Sequence, residues 1–137
     1  MNVYTTQEWM RNLDSRTGTT MTKNKDATRY YSDRQEKSVA KVINGEQTSN
    51  SGAGRFRKGD VINQRASLLC ECKCVMGEKS SVSIKKEWID KNKEESFAQR
   101  LSNTCIAINF VPDGENYFVI NEKLMHYLVE KLEEDNQ

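Results

Sequence analysis

The sequence predicts an α/β protein of one domain, in which helices flank a single mixed central β-sheet. The chain has 137 residues, the length of one domain. Segments with helical and strand-like periodicity follow in the order helix, three strands, helix, two strands, helix, an order typical of a sheet covered by helices. Because the polar N-terminal segment lacks such periodicity, we divide the chain into a flexible arm, residues 1–29, and a folded domain, residues 30–137.

The composition argues against membrane and secreted classes. Charged residues make up 30% of the chain and apolar residues 36%, and no run approaches the roughly 20 apolar residues of a membrane span. The N-terminus has neither the basic nor the apolar region of a secretory signal. These features predict a cytoplasmic protein with no membrane partner.

Charge is distributed unevenly along the chain, although the net charge is only +1. Residues 1–100 carry 19 Lys and Arg against 13 Asp and Glu, whereas residues 101–137 carry 2 against 7. A basic body with an acidic C-terminal segment suits a polyanionic partner on one face. An ordinary solvated surface explains the same distribution equally well.

The first helix is predicted to begin at Ser32, which stands three residues before Gln35 in the spacing of a capping box. Gly45 is expected to end the helix in a left-handed cap conformation. Glu36 shares a face with the apolar residues that follow it at helical spacing, so an acid lies beside the predicted core. Those residues are Val39, Ala40 and Ile43.

A loop of small residues at 48–59 precedes the first strand. Its serines and glycines allow backbone amides to approach a phosphate, although it lacks the ending of a P-loop. Three cations close the loop and are expected to contact the nucleic-acid backbone, giving salt-dependent affinity without sequence choice. They are Arg55, Arg57 and Lys58.

Apolar runs bounded by turn residues predict five strands. They cover residues 60–62, 67–75, 81–85, 105–111 and 117–120. A second helix over residues 86–101 is expected to pack through Trp88, Ile89, Phe97 and Leu101. A third begins after the cap residue Asn121 and presents an apolar face made of Leu124, Met125, Leu128 and Leu132.

Three of the four cysteines alternate along the second predicted strand: Cys70, Cys72 and Cys74. Alternation places them on one face, and their spacing differs from the C-x₂-C pattern of structural zinc sites. We therefore interpret them as small buried apolar residues in a reducing compartment.

The opposite face of this strand carries Glu71 and Lys73, which are costly to bury unless paired or used in chemistry. If the hairpin tip lies near Arg65, antiparallel pairing places Asp60 opposite Glu71. Two carboxylates and a lysine then converge, and a hard divalent cation is the natural neutraliser, Mg²⁺ before others. Glu-x-Lys alone proves little, because about one occurrence is expected by chance in a chain of this composition.

The order of these features gives the Glu-x-Lys more weight. Along the chain stand a helix with Glu36, then Gly45, the loop Ser51-Gly52-Ala53-Gly54, Asp60, and Glu71-Cys72-Lys73. This order resembles the PD-(D/E)xK nuclease superfamily, and within it the archaeal-type and phage Holliday junction resolvases. The resemblance covers roughly residues 30–111, with Gly59 in place of the usual proline, and implies a restriction-endonuclease-like core.

The resemblance implies phosphodiester hydrolysis at four-way DNA junctions. Asp60 and Glu71 are then metal ligands, Glu36 an outer or second-metal ligand, and Lys73 positions the attacking water. Ser51 matches a loop serine near the scissile phosphate. The metal is Mg²⁺, with Mn²⁺ able to substitute. The phosphate contacts of the loop extend to Lys85 and Lys86.

Two symmetric cuts imply a homodimer, and the resemblance places the protein in the cytoplasm of a prokaryote or of a phage-infected host. Two alternatives remain open. Another PD-(D/E)xK nuclease with nicking, restriction-like or end-processing activity accounts for the same residues. A non-catalytic nucleic-acid-binding module, with a merely structural acidic cluster, is the second.

Overall fold

The computed structural model describes residues 20–48 and 60–137, which form one small α/β domain, as predicted. Its helices are α1 (Thr20–Val42), α2 (Lys86–Ala98) and α3 (Glu122–Asp135), and its strands are β1 (Glu46–Gln47), β2 (Val61–Asn63), β3 (Leu68–Lys73), β4 (Asn103–Ile108) and β5 (Tyr117–Val119). The arm residues 1–19 and most of the small-residue loop, residues 49–59, lie outside the described residues.

The five strands form one mixed sheet in the order β1-β2-β3-β4-β5. β3 and β4 are parallel, and the other three pairs are antiparallel. A parallel pair requires a crossover connection, and α2 lies within the segment that provides it. β3 is therefore central, with strands on both sides and helices covering its faces.

The core has two parts, one on each side of β3. One cluster joins Val39 of α1 to Val61, Cys70, Cys105 and Ala107, all buried. The other joins Ile62, Leu69 and Leu101. Because neighbouring strand residues point to opposite faces, Cys70 and Leu69 belong to different clusters.

The first helix starts earlier than predicted and ends by a different residue. It begins at Thr20, so Ser32 is not an N-cap, and residues 20–29 of the predicted arm are helical. Gln35 is not part of a capping box but is buried and bonded to the sheet. At the C-terminus Asn44, not Gly45, takes the left-handed conformation, with φ of 53°.

Gly45 is needed for another reason, which is a close backbone approach. A Cβ at Gly45 would lie 2.6 Å from the carbonyl oxygen of Ile62. Its amide N–H also donates to the Ala40 carbonyl at 2.8 Å, which closes the end of the helix. Gly45 thus allows the chain to pass from α1 directly into β1 beside β2.

The predicted strand at residues 81–85 is wrong, because this segment forms no ladder. Its exposed and half-buried residues alternate as in a strand, which explains the sequence signal. Both edges of β3 are already occupied, by β2 and β4. The segment instead leads into α2, and β4 takes the position beside β3.

α2 buries a polar face instead of the predicted apolar one. Phe97 is 84% exposed, whereas Asn92 and Ser96 are buried. The side-chain amide of Asn92 donates to the Cys105 carbonyl at 3.0 Å, so the buried amide ties α2 to β4. Leu101 is buried as predicted, but it lies beyond the helix, which ends at Ala98.

α3 has the predicted cap but buries none of its residues. The Asn121 side chain accepts a hydrogen bond from the Leu124 amide at 2.9 Å. The apolar face of the helix is nevertheless exposed, at Met125, Leu128, Val129 and Leu132. Among the described residues, no helix has both the length and the apolar content needed to cross a membrane.

Candidate active site

Asp60 lies just before the β2–β3 ladder, near Glu71. The ladder runs from Asn63 opposite Leu68 to Val61 opposite Cys70, and Asp60 stands at a bend beyond it, with its N–H donating to the Cys70 carbonyl at 3.1 Å. The ladder therefore does not include the predicted pair of Asp60 and Glu71, although the Asp60 charge acts on Glu71. The Asp60 carboxylate accepts a hydrogen bond from the Cys72 amide at 2.7 Å. This bond fixes one carboxylate oxygen against the backbone of β3.

Lys73 lies beside Glu71 on the same face of β3. Their side chains form an ion pair, with 3.6 Å between the Lys73 Nζ and the Glu71 Oε2. The Lys73 ammonium also lies 4.6 Å from the centre of the Trp88 ring, a cation–π contact. A carboxylate from β3 and an indole from α2 therefore hold this ammonium.

Glu36 approaches from α1, three residues before the buried Val39. Gln47 of β1 donates from its side-chain amide to Glu36 and to Asp33, each at 3.1 Å. The carboxylate is half-buried. The helix-borne acid therefore lies at the edge of the sheet, where β1 orients it.

The three carboxylates share an electrostatic environment that disfavours ionisation. Burial, reinforced by the charges of Asp60, Asp33 and Glu71, raises the pKa of Glu36 to about 7. Burial and the Asp60 charge raise the pKa of Glu71, while Lys73 opposes the shift. Burial raises the pKa of Asp60 as well, against the bond from Cys72. Converging acids with raised pKa values are typical of functional sites.

Several neighbours of these residues were not predicted from the sequence. Lys91 and Glu95 of α2 act electrostatically on Glu71, and with Trp88 they recur at the helical spacing i, i+3, i+7 that marks one face. That spacing is visible in the sequence, but only the tertiary placement of α2 directs this face to the site. Trp88 contacts Lys73, where the sequence favoured simple packing.

Gln35 supports the same strand from the α1 side. Its side-chain amide donates to the backbone carbonyls of Lys73 at 3.0 Å and of Ala107 at 3.4 Å. The residue before Glu36 is thus bonded to the end of β3, which links the helix acid to the strand lysine. No short motif signals such a role.

The chemistry of these side chains fits a hard divalent cation. They offer carboxylate oxygens, the ligands that Mg²⁺ prefers, and Lys73 neutralises only part of their charge. Within residues 20–48 and 60–137, no three His, Cys, Asp or Glu side chains are already arranged to hold a metal ion. Mg²⁺ needs only one or two carboxylates, because water and substrate phosphate complete its octahedron.

The remaining predicted residues divide into two groups. Ser51, Arg55, Arg57 and Lys58 lie outside the described residues. Lys85 is exposed at the start of α2, 5.8 Å from the Trp88 ring centre. Lys86 is exposed and pairs with Asp90 at 2.8 Å. Both lysines therefore begin the same helix that contributes Trp88.

The cysteines occupy the other face, as predicted. Cys70 and Cys105 are buried, and all four thiols are free. A hydrogen bond with Cys70, together with burial, raises the pKa of Cys105. Thiols that resist ionisation are poor nucleophiles and poor metal ligands. His126 is exposed on α3, where it lies 3.5 Å from Glu130.

Comparison with known proteins adds no relative: no family model, no curated protein and no solved structure matches this chain.

Proposed function

We propose that this protein is a metal-dependent DNA endonuclease of the PD-(D/E)xK type that cuts branched DNA, most specifically four-way junctions. One observation carries the proposal: the Asp60 carboxylate accepts a hydrogen bond from the amide of Cys72, the residue between Glu71 and Lys73, and Glu71 and Lys73 form an ion pair on one side of β3. Glu36 of the preceding helix is the fourth residue of the motif, and the charges of Asp60 and Glu71 act on its carboxylate.

Asp60 and Glu71 would hold Mg²⁺, with Glu36 as an outer ligand. When bound, Mg²⁺ offsets the charge of the carboxylates and of the phosphodiester and polarises the phosphoryl group. The chain's own contribution is positional. Lys73 orients the attacking water and stabilises the negative charge that develops on the phosphate, while Glu71 and Trp88 hold its ammonium in place.

The distribution of charge supports a DNA substrate. The basic excess lies in residues 1–100, and Lys85 and Lys86 begin the helix whose next turns line the site. The loop cations Arg55, Arg57 and Lys58 directly precede Asp60 in sequence. Such residues bind the phosphate backbone without reading bases, as a structure-selective enzyme requires. Two symmetric cuts in a junction call for a homodimer.

The test is cleavage of a labelled synthetic four-way junction beside linear duplex and single-stranded DNA, in Mg²⁺ and in EDTA. We expect paired symmetric nicks in the junction only, lost in EDTA and in Lys73→Met. Lys93→Met is the matched control, because Lys93 is an exposed lysine of the same helix as Trp88. This variant should cleave the junction at the wild-type rate.

The other outcomes separate the alternatives. Equal cleavage of all three substrates would keep the nuclease and remove the preference for junctions. Metal-independent binding without cleavage of any substrate would contradict the catalytic proposal and favour a nucleic-acid-binding module. Cleavage by Lys73→Met at the wild-type rate would assign the chemistry to other residues.

A further inference from the structure

One side of α2 borders the charged face of β3. Asn92 and Ser96 are buried, and the Asn92 amide bonds to β4, so this line of the helix packs on the sheet. Trp88, Lys91 and Glu95 recur at i, i+3 and i+7, which places them in a second line directly beside the buried one. This second line therefore lies along the edge of the contact between α2 and the sheet.

The second line of α2 reaches the carboxylates of the candidate site. The Trp88 ring lies 4.6 Å from the Lys73 ammonium, and Lys91 follows one turn further along the helix. Burial raises the pKa of Asp60 and of Glu71, and the charge of Lys91 opposes both shifts. The Lys91 ammonium is thus close to the two carboxylates that would hold the metal.

The two lysines beside these carboxylates differ in how they are held. The Lys73 ammonium is fixed between Glu71, at 3.6 Å, and the Trp88 ring. Lys91 is exposed, and no carboxylate within residues 20–48 and 60–137 forms an ion pair with it. A lysine on a flexible stem with no protein partner is free to bind a phosphate of the substrate.

The charge balance of the site calls for a further cation. The three carboxylates carry up to three negative charges, which one Mg²⁺ and Lys73 would balance. Glu95 adds a fourth carboxylate on the α2 side, and its charge acts on Glu71. A phosphodiester is itself negative, so it is attracted to the site only if another positive charge is present. Lys91 lies in position to supply that charge.

We propose that Lys91 binds a phosphate of the DNA strand in the site, next to the phosphate that is cut. Lys91 stands three residues from Trp88, about 4.5 Å along the helix axis, so its ammonium reaches a different phosphate from that of Lys73. This inference rests on the proposed nuclease function and divides the work between two lysines: Lys91 contributes to binding and Lys73 to the chemical step. An ammonium–phosphate contact acts on any sequence and weakens with salt.

The test measures binding and cleavage separately for Lys91→Met, Lys73→Met and Lys93→Met. Binding of a labelled four-way junction is measured in EDTA at several salt concentrations, and cleavage in Mg²⁺ as single-turnover rates over a range of enzyme concentrations. Lys93→Met is the matched control, because it removes the same charge from an exposed lysine of the same helix. Lys93 lies about 200° around the helix from Lys91, away from the second line.

Lys91→Met should bind the junction about fivefold more weakly, and the slope of log affinity against log salt should fall by about one. The enzyme concentration that gives half the maximal rate should rise by the same factor, while the rate at saturation stays that of the wild type. Lys73→Met should lose the rate and keep most of the affinity. Lys91→Arg should restore binding, because it keeps the charge. The melting temperature of Lys91→Met should match that of the wild type, since Lys91 is exposed and unpaired.

Three results would overturn the proposal. One is an affinity and a salt slope of Lys91→Met that equal those of Lys93→Met. Another is a loss of the saturated rate with unchanged affinity, which would place Lys91 in the chemical step. The third is equal weakening in Lys91→Met and Lys91→Arg, which would show that charge is not what matters. A wild type that binds the junction without cutting it would contradict the nuclease proposal, whereas the binding data in EDTA would still decide whether Lys91 contacts a phosphate.

Discussion

The two faces of β3 differ in chemistry over its C-terminal half. On one face Cys70 is fully buried in an apolar cluster beneath α1. On the other, Glu71 and Lys73 remain partly exposed, at 17% and 33% of their side chains, and face Trp88. The same six residues therefore form the centre of the core and the centre of the candidate site.

This difference shows how a small domain positions charged groups. The thiol face anchors the strand through packing, and the backbone then presents alternate side chains at fixed spacing on the far side. Substitutions of the buried thiol should therefore change stability without changing chemistry, and substitutions of Glu71 or Lys73 should do the reverse.

The largest effect is expected from Glu71→Gln on the charged face. The amide keeps the shape of the side chain but removes the charge that pairs with Lys73 and that would bind the metal in the proposed mechanism. Junction cleavage should fall on the order of 10³-fold, measured as single-turnover rates in Mg²⁺. Junction binding and the melting temperature should change little.

Glu78→Gln serves as the control, because Glu78 is exposed and lies a few residues beyond the same strand. Its rate should match the wild type. An equal loss of cleavage rate in both variants, or a wild-type rate in Glu71→Gln, would contradict the proposal that Glu71 takes part in the chemistry.

A smaller effect is expected from Cys70→Ser on the thiol face. The substitution places a hydroxyl in an apolar cluster where Cys70 has no exposed surface, so the free energy of unfolding should fall by about 2 kcal/mol. Urea denaturation measures the change. Cys74→Ser should cost less, because Cys74 is only half-buried. Loss of cleavage by a stably folded Cys70→Ser would show that the thiols take part in the chemistry.

Trp88→Leu should sharpen the comparison, because it changes a partner of Lys73 without changing β3. A cation–π contact to a partly exposed ammonium contributes about 1 kcal/mol, so the cleavage rate should fall about fivefold while junction affinity is retained. Trp88→Phe keeps an aromatic face and should recover most of the rate. If Trp88→Leu and Trp88→Phe cleave at the same rate, Trp88 acts by packing alone and not through its contact with the Lys73 ammonium.

The sequence was sufficient for the parts of the site that depend on local rules. Alternation along β3 placed the cysteines on the face opposite Glu71 and Lys73, and the short hairpin set the register of β2 against β3, both confirmed. Asp60 itself stands at a bend outside that ladder. The helical spacing of Glu36 and Val39 likewise put an acid beside the core. Period and pairing are properties of a few neighbouring residues, so a single sequence reveals them.

Features that depend on distant partners were not predictable. Residues 81–85 have the alternating pattern of a strand, but both edges of β3 are occupied by other strands. Which segments pair with β3 cannot be predicted from the residues near 81–85 alone. Phe97 is exposed where the core was predicted, and α2 buries Asn92 instead, because the Cys105 carbonyl offers the buried amide a partner. The exposed apolar face of α3 has the same periodicity as a helix face that packs in a core. Periodicity alone does not show whether anything packs against that face.

The smallest expected effect concerns the pH dependence of stability, and it tests whether Glu36 belongs to the charged site. Its pKa is about 7 in the folded protein against an ordinary 4.5, so between these values the folded state holds a proton that the unfolded state has lost. The free energy of unfolding therefore declines as pH rises through this window and levels off above it. Since Glu36 is only half-buried, solvent screening limits the decline to about 1–2 kcal/mol.

Glu36→Gln removes this titration, so in EDTA the variant should be more stable than the wild type at pH 8 and nearly equal to it at pH 4.5. Thermal unfolding at both pH values measures the difference, with Glu46→Gln as an exposed control. Mg²⁺ should narrow the gap at pH 8, because a cation held by the carboxylates favours the ionised form that only the wild type has. A gap that is independent of both pH and Mg²⁺ would separate Glu36 from the charged face of β3 and leave it as an acid of the helix surface.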